Sequence, residues 1–258
     1  MSAGGRWALV TGATGGIGFA LSEELARRGW NVVLTGRNTT RLMSLAGRVA
    51  ALGADVRCVQ CDLATKDGPA QLVADVDALG IEIGILANNA GQGYSAPFAE
   101  SDLERQQRLV QLNVTSVMEL AHAYAGRMAA RGEGRILNVA SVAGVTPGPG
   151  MATYFASKAF VLSLSQAMHE ELRPRGVHVM ALCPGPVGTA FWERAESSAA
   201  AWKQAMPSAE RVARIAYVAL MRGRAVCAPG ALSKLCYGFG RMAPYTASRR
   251  IVGALLGR

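Results

Sequence analysis

Histidine is scarce in this chain, and acidic residues vanish from its end. The three histidines, His122, His169 and His178, lie far apart in 258 residues. His169-Glu170 lacks the second histidine of a zincin, and no metal box can be read. Cysteine is sparse and odd in number: Cys58, Cys61, Cys183, Cys227 and Cys236. That usage excludes a disulfide scaffold and fits a reducing cytosol. Cys58 and Cys61 form a C-x-x-C, but it has no second pair and no histidine nearby, so it reads as two ordinary thiols on a strand. Long clean apolar runs are missing. The uncharged stretch Ile136 to Ser157 contains Asn138, Ser141, Pro147, Gly148, Pro149 and Gly150, which break a lipid-exposed helix. Trp7–Val10 leads into a glycine turn rather than a cleavage site, so no secretory signal is expected. Ser141 has Val139 two residues before it and lacks the G-x-S-x-G elbow, which excludes a serine hydrolase.

What remains is half apolar and 17% charged, enough to build a substantial core. Apolar runs at Trp7–Val10, Asn31–Leu34, Val56–Val59, Ile83–Leu86, Arg135–Val139, Val177–Leu182 and Ala225–Cys227 read as seven strands. They lack clean polar alternation, as strands covered on both faces do. Helix-period segments near 17–28, 38–52, 66–79, 101–130, 153–173 and 208–222 lie between them. This alternation predicts an α/β fold: one doubly wound Rossmann domain with a seven-stranded parallel sheet and helices on both faces. The domain is expected over 1–228, with a long connection at 185–207 as a lid. Residues 229–258 form a C-terminal helical extension.

The first strand runs into Thr11-Gly12-Ala13-Thr14-Gly15-Gly16-Ile17-Gly18 before an amphipathic helix. Strand, glycine turn and helix are the context of a dinucleotide fingerprint, although an ordinary glycine-rich turn can share it. Glycines let the backbone approach a pyrophosphate, and the helix start supplies amides. The second strand ends Leu34-Thr35-Gly36-Arg37, where an acid would bind ribose hydroxyls and favour NAD. Arg37 can instead pair with a 2′-phosphate, with Arg41 one turn into the next helix as a helper. NADP(H) is therefore the expected cofactor.

Five segments then form a pattern: the glycine loop, Asp62-Leu63 after Cys61, Asn88-Asn89-Ala90-Gly91, Asn113, and Ser141 with Tyr154-x-x-x-Lys158. Pro184-Gly185, Val187 and Thr189 close the set. On these residues the chain closely resembles the compact short-chain dehydrogenase/reductase family, over roughly 5–228. The resemblance implies hydride transfer between NADP(H) and a carbonyl or secondary alcohol. Tyr154 and Lys158, four apart, share one helix face. A nearby ammonium favours the phenolate, so Lys158 is expected to lower the Tyr154 pKa. Tyr154 would move the proton and Ser141 would donate to the substrate oxygen. The resemblance assigns Lys158 also to the nicotinamide ribose, and Asn113 to a proton-relay water. It places Asp62 against adenine, and Asn89, Ala90 and Gly91 in the nucleotide pocket. Val187 and Thr189 would hold the carboxamide. Asp62 can equally cap a helix.

Three loops, 91–98, 142–153 and 185–207, should border the substrate. They carry Tyr94, Phe98, Met151, Phe191, Trp192, Trp202 and Met206, and the first two carry no arginine. A bulky apolar substrate is expected: 3-oxoacyl, steroid-like or polyketide-like. Trp192 and Trp202 can equally pack the lid onto the body. The Thr-Gly-Arg strand end and basic extension look similar to the 3-ketoacyl-reductase and hydroxysteroid-dehydrogenase group. Two other readings stand beside this one. A sugar-nucleotide epimerase or dehydratase shares Tyr-x-x-x-Lys, but a larger second domain is missing. An NADP-sensing regulatory or interaction protein would not need the complete tetrad.

The resemblance also implies a homodimer or homotetramer, paired through helices near 101–130 and 153–173; Val161, Leu162, Leu164, Ser165 and Met168 give the second an apolar, small-residue surface, part of which must pack on its own sheet. Charge adds one more expectation. The net charge is +9, and residues 211–258 hold nine Lys and Arg and no Asp or Glu. Amphipathic helices near 231–242 and 245–256 could meet an anionic membrane surface or acidic carrier, or could pack on the body of the protein. No nucleic-acid motif accompanies them. The expected location is cytoplasmic, with peripheral membrane contact left open.

Overall fold

The computed structural model describes residues 6–191, 195 and 206–255. Trp192 and Trp202 lie outside the described residues. Seven parallel strands form one sheet: β1 (Trp7–Val10), β2 (Asn31–Gly36), β3 (Val56–Gln60), β4 (Ile83–Asn88), β5 (Gly134–Val139), β6 (Val177–Leu182) and β7 (Val226–Cys227). Their order is β3-β2-β1-β4-β5-β6-β7, so the chain reverses its winding between β1 and β4. In open α/β sheets, ligands bind at such a reversal, beyond the carboxyl ends of the strands.

Two layers of helices cover the sheet. Ala8, Val10, Val32 and Leu34 point to the first, where they meet α1 (Gly16–Arg27), α2 (Thr39–Ala50) and α7 (Ala209–Met221) through Leu25, Leu45 and Val212. Their neighbours Trp7, Leu9 and Val33 point to the second. There Leu72 of α3 (Gly68–Asp77) and Tyr124 and Met128 of α5 (Ser116–Arg131) receive them. The strand period of two therefore feeds both layers, which is why each strand reads as almost wholly apolar.

α4 (Leu103–Val110) continues into α5 through one π-helical turn at Gln111–Thr115. Such turns insert an extra residue into a helix and occur at functional sites; this one carries Asn113. α6 (Ala152–Leu172) packs on β5 and β6. Its Val161, Leu162 and Ser165 are buried against its own body and so form the part that packs inward, while Leu164 and Met168 are half-buried. The outward residues of α6 include Phe160, Ser163 and Ala167.

A buried polar chain crosses the centre. Asn88 of β4 donates to Asn138 Oδ1 of β5 at 2.9 Å, and Asn138 donates to Ser165 Oγ of α6 at 2.9 Å. Both amide donors of the chain are used, while Asn88 Oδ1 has no partner among the described residues.

Beyond β7, α8 (Ala231–Met242) and α9 (Tyr245–Leu255) fold back on the body. Ser233 and Gly240 form the buried side of α8. Ser233 Oγ accepts from the Gly185 amide at 2.9 Å, and a Cβ on Gly240 would lie 2.3 Å from Val145 Cγ2. Among the described residues, no helix is long and apolar enough to cross a membrane.

Candidate active site

A cavity of about 900 Å³ opens at the reversal between β1 and β4. Its floor is the glycine loop. Gly12 and Gly16 have positive φ of 61° and 53°, which only glycine adopts without strain. A Cβ on Gly12 would sit 2.8 Å from Ala90 Cα, and one on Gly18 would sit 2.3 Å from Asn89 Nδ2. Asn89 in turn donates to the carbonyls of Thr11 and Gly12 at 2.9 and 3.1 Å, while Thr11 Oγ1 accepts from the amides of Asn89 and Ala90 at 2.9 Å. Gly18 and Asn89 thus brace the loop, and Gly18 does not itself line the cavity.

The loop delivers α1 with an open start. Gly15 is its N-cap, without a side-chain bond, and its first turn has no acid. By contrast, α2, α4 and α7 are capped by Asn38, Asp102 and Ser208. The α1 amides therefore meet the cavity at Gly15, Gly16 and Ile17 with their partial positive charge available to an anion. Thr14 stands beside them. At the adjacent rim, Arg37 and Arg41 line the cavity, and neither has an ion pair among the described residues. Asn38 Oδ1 fixes the Arg41 amide at 2.8 Å.

Asp62 and Leu63 line the same end. Asp62 Oδ1 accepts from Ala64 N, while Oδ2 pairs with Arg108. Asp62 is therefore an Asx-turn anchor and a salt-bridge partner at the cavity wall. Arg105 and Arg108 both line the cavity, and the sequence reading missed them. They lie on α4, a polar helix outside the three loops, where arginines resemble an ordinary solvated face. Arg105 lies over the Tyr94 ring, 3.9 Å from its centroid.

Ser141, Tyr154 and Lys158 meet at the other end. β5 ends in Val139-Ala140, and Ser141 caps the following turn, Val142–Val145, by accepting from Ala143 N at 3.1 Å. Its hydroxyl also donates to Pro184 O at 3.4 Å. Lys158 Nζ donates to Val139 O at 2.8 Å and lies 5.9 Å from the Tyr154 ring centroid. Burial pushes Tyr154 up to about 12, only partly opposed by Ser141, and pushes Lys158 down to about 8. This corrects the expected lowering of Tyr154 by Lys158. The lysine is aimed at a backbone carbonyl, and desolvation of the phenol dominates.

Asn113 does not line the cavity. It is fully buried, with both ends of its amide on the Gln92 backbone, at 3.0 and 2.9 Å, and Nδ2 also reaching Ser157 Oγ at 3.1 Å. One point beside Gly91 lies 3.3 Å from Asn113 Oδ1 and 3.5 Å from Lys158 Nζ. The π turn therefore sets Asn113 behind the lysine. Asn89, Ala90, Gly91, Pro184, Gly185, Val187 and Thr189 complete the cavity wall. Thr189 leans over the loop: a Cβ on Gly16 would meet its Cγ2 at 3.2 Å.

The end beside Tyr154 is lined by aromatic rings, with the Arg105 guanidinium stacked on one of them. Tyr94 and Phe191 line it, and the Phe191 ring lies 5.3 Å from that of Tyr154. Ala195 is fully buried, and its carbonyl accepts from Ser95 N at 3.0 Å, which ties the 185–207 connection over the 91–98 loop. Met151 is buried behind Tyr154 rather than at the cavity surface. Phe98 is 68% exposed and Met206 half-buried; neither reaches the cavity, because Phe98 sits on an outward-facing turn at Phe98–Glu100.

A family model described as short chain dehydrogenase matches residues 6–200. The very-long-chain 3-oxoacyl-CoA reductase of Mus musculus is 36% identical over 190 residues, 72% of this chain and 60% of that protein. The 17-beta-hydroxysteroid dehydrogenase type 3 of Homo sapiens is 39% identical over 191 residues, again 72% of this chain and 61% of that protein. The matched region thus spans about three fifths of these curated relatives. Solved structures match further along the chain. A short-chain dehydrogenase from Sphingobium yanoikuyae in complex with NADPH has a TM-score of 0.81 and 35% identity, covering 93% of this chain and 96% of that one. The bulky-bulky ketone specific alcohol dehydrogenase from Comamonas testosteroni has a TM-score of 0.76 and 32% identity, covering 93% and 95%. With a family model matched over most of its length and relatives above 30% identity, this chain belongs to the short-chain dehydrogenase family.

Proposed function

We propose that the protein is an NADP(H)-dependent oxidoreductase that interconverts a carbonyl and a secondary alcohol on a bulky apolar substrate. The observation that carries this reading is one cavity with a Ser-Tyr-Lys group at one end and two unpaired guanidiniums at the other. The cradle fits a phosphorylated dinucleotide. Side chains larger than hydrogen are excluded at Gly12 and Gly18, the α1 amides are open, and Arg37 and Arg41, without an ion pair among the described residues, offer guanidiniums for a phosphate. Asp62, Leu63, Asn89 and Ala90 would flank the adenosine half, and Gly91, Pro184, Gly185, Val187 and Thr189 the nicotinamide half. When bound, the nicotinamide supplies or accepts the hydride.

The chain's own groups handle the proton. A phenol pushed up to about 12 keeps its proton at neutral pH, so Tyr154 is set to give it to a carbonyl oxygen. Ser141 donates to the same oxygen and stabilises the charge developing there. Lys158, at about 8, is mainly protonated at neutral pH and presents its charge to a ribose hydroxyl. Tyr94 and Phe191 exclude water and hold an apolar substrate, in keeping with the relatives named for 3-oxoacyl-CoA, hydroxysteroid and bulky ketone chemistry.

The test is a panel of bulky and small ketones with NADPH and NADH, followed by cofactor absorbance. Turnover of bulky ketones with NADPH is expected; small ketones alone, or a clear preference for NADH, would overturn the reading.

A further inference from the structure

We propose that the outer face of α8, with the cationic groove at its N-terminal end, is a docking surface for an anionic lipid bilayer. Leu232, Leu235, Phe239 and Met242 recur at spacings of three and four, so they share one stripe. They are 57%, 71%, 44% and 87% exposed. Ser233 and Gly240 lie on the opposite face and fix α8 to Gly185 and Val145. The helix is therefore held with its apolar stripe outward. Packing on the body accounts for one face of α8 and leaves the other uncovered.

Charge selects the occupant. A groove of about 740 Å³ adjoins the start of α8 and shares Ala231 and Lys234 with it. Arg214, Arg222, Arg224 and Lys234 line it, all exposed and without an ion pair among the described residues. Its floor is apolar, with Ile215, Val218 and Val226. Arg241 flanks the stripe, and exposed Arg249 and Arg250 follow on α9. Residues 211–258 contain no Asp or Glu. A second copy of the chain is a poor partner, because a two-fold interface sets this patch against itself, cation against cation. A bilayer with anionic headgroups answers both features at once. Its headgroups neutralise the groove, and its acyl boundary receives the stripe. Because α8 also holds Gly185 and packs on the turn after Ser141, docking would place the membrane next to the elements that border the substrate cavity.

The experiment is co-sedimentation of the full chain with phosphatidylcholine vesicles, with and without phosphatidylserine, at low and high salt. Binding is expected only with phosphatidylserine and should weaken as salt rises. Replacing Lys234 and Arg241 by Gln should weaken it by about tenfold or more, given the attraction of each cation to an anionic surface. The pair Leu235→Gln and Met242→Gln should weaken it by a similar factor of about ten or more, because the exposed apolar stripe no longer enters the acyl boundary. Both variants should retain the wild-type melting temperature, since all four side chains are exposed. Three results would overturn the proposal. One is no binding to phosphatidylserine vesicles at low salt. Another is undiminished binding by the stripe variant, which means that charge alone acts, as with an acidic protein. The third is dissociation of a dimer by the stripe variant in sedimentation, which assigns the face to a second copy.

Discussion

Tyr154 and Lys158 are driven apart on the pH scale by burial, one up to about 12 and the other down to about 8. Tyr154→Phe should keep cofactor affinity and lower turnover by about 10² to 10⁴, the usual worth of a positioned acid or base. Titration calorimetry and steady-state rates check the two halves. The sign for Lys158 follows from its charge. The ammonium is lost as pH rises through about 8, so NADPH affinity should be level well below that pH and fall progressively as pH rises through it. Lys158→Met should bind more weakly throughout and lose that alkaline slope; an unchanged slope would remove Lys158 from cofactor binding. Arg37→Ala should cost about ten- to a hundredfold in NADPH affinity, as a charge-assisted contact does, and leave NADH affinity unaltered. Residue identities were legible because chemistry needs these types at these spacings. The direction of the Tyr154 shift was not, because part of its burial, by Leu109 and Phe191, comes from distant segments.

At the level of elements, the strands were legible to within a residue or two. Burial on both faces leaves a continuous Val, Ile and Leu signature, and positive-φ glycines punctuate the turns. The π turn at Gln111–Thr115 left no such mark, since its residues differ little from those of a regular helix. Arg105 and Arg108 escaped notice for a similar reason: Asp102 caps a markedly polar helix, and only the tertiary fold turns part of it toward the cavity. The tail was legible as amphipathic, but the sequence could not say where Ser233 would land. Its bond to the Gly185 amide ties α8 to the cavity lip. Ser233→Ala leaves that amide without its partner, and the loss should cost about 1–3 kcal/mol. Denaturant unfolding would show it, and a weaker NADPH affinity should accompany it if the lip helps hold the cofactor.

For the whole molecule, the expected homodimer or homotetramer needs another surface, since the one first expected for it is mostly buried. Met118 of α5 and Phe160 of α6 are 44% and 37% exposed and form a more suitable pair. Sedimentation at micromolar concentration should show an oligomer, and Phe160→Glu combined with Met118→Glu should dissociate it; a wild-type monomer would end the idea. The buried Asn88–Asn138–Ser165 chain has a consequence for motion. It bolts β4, β5 and α6 together beneath Ser141, Tyr154 and Lys158, whereas β7 pairs over only two residues at the sheet's edge. Amide protons of the central unit should exchange with deuterium only on global unfolding, while those of β7 and the helices beyond it exchange through local opening. Catalytic geometry is thus anchored in the slowest-exchanging part of the molecule, and the basic surface rides on a part that opens more readily and meets the site only at its lip.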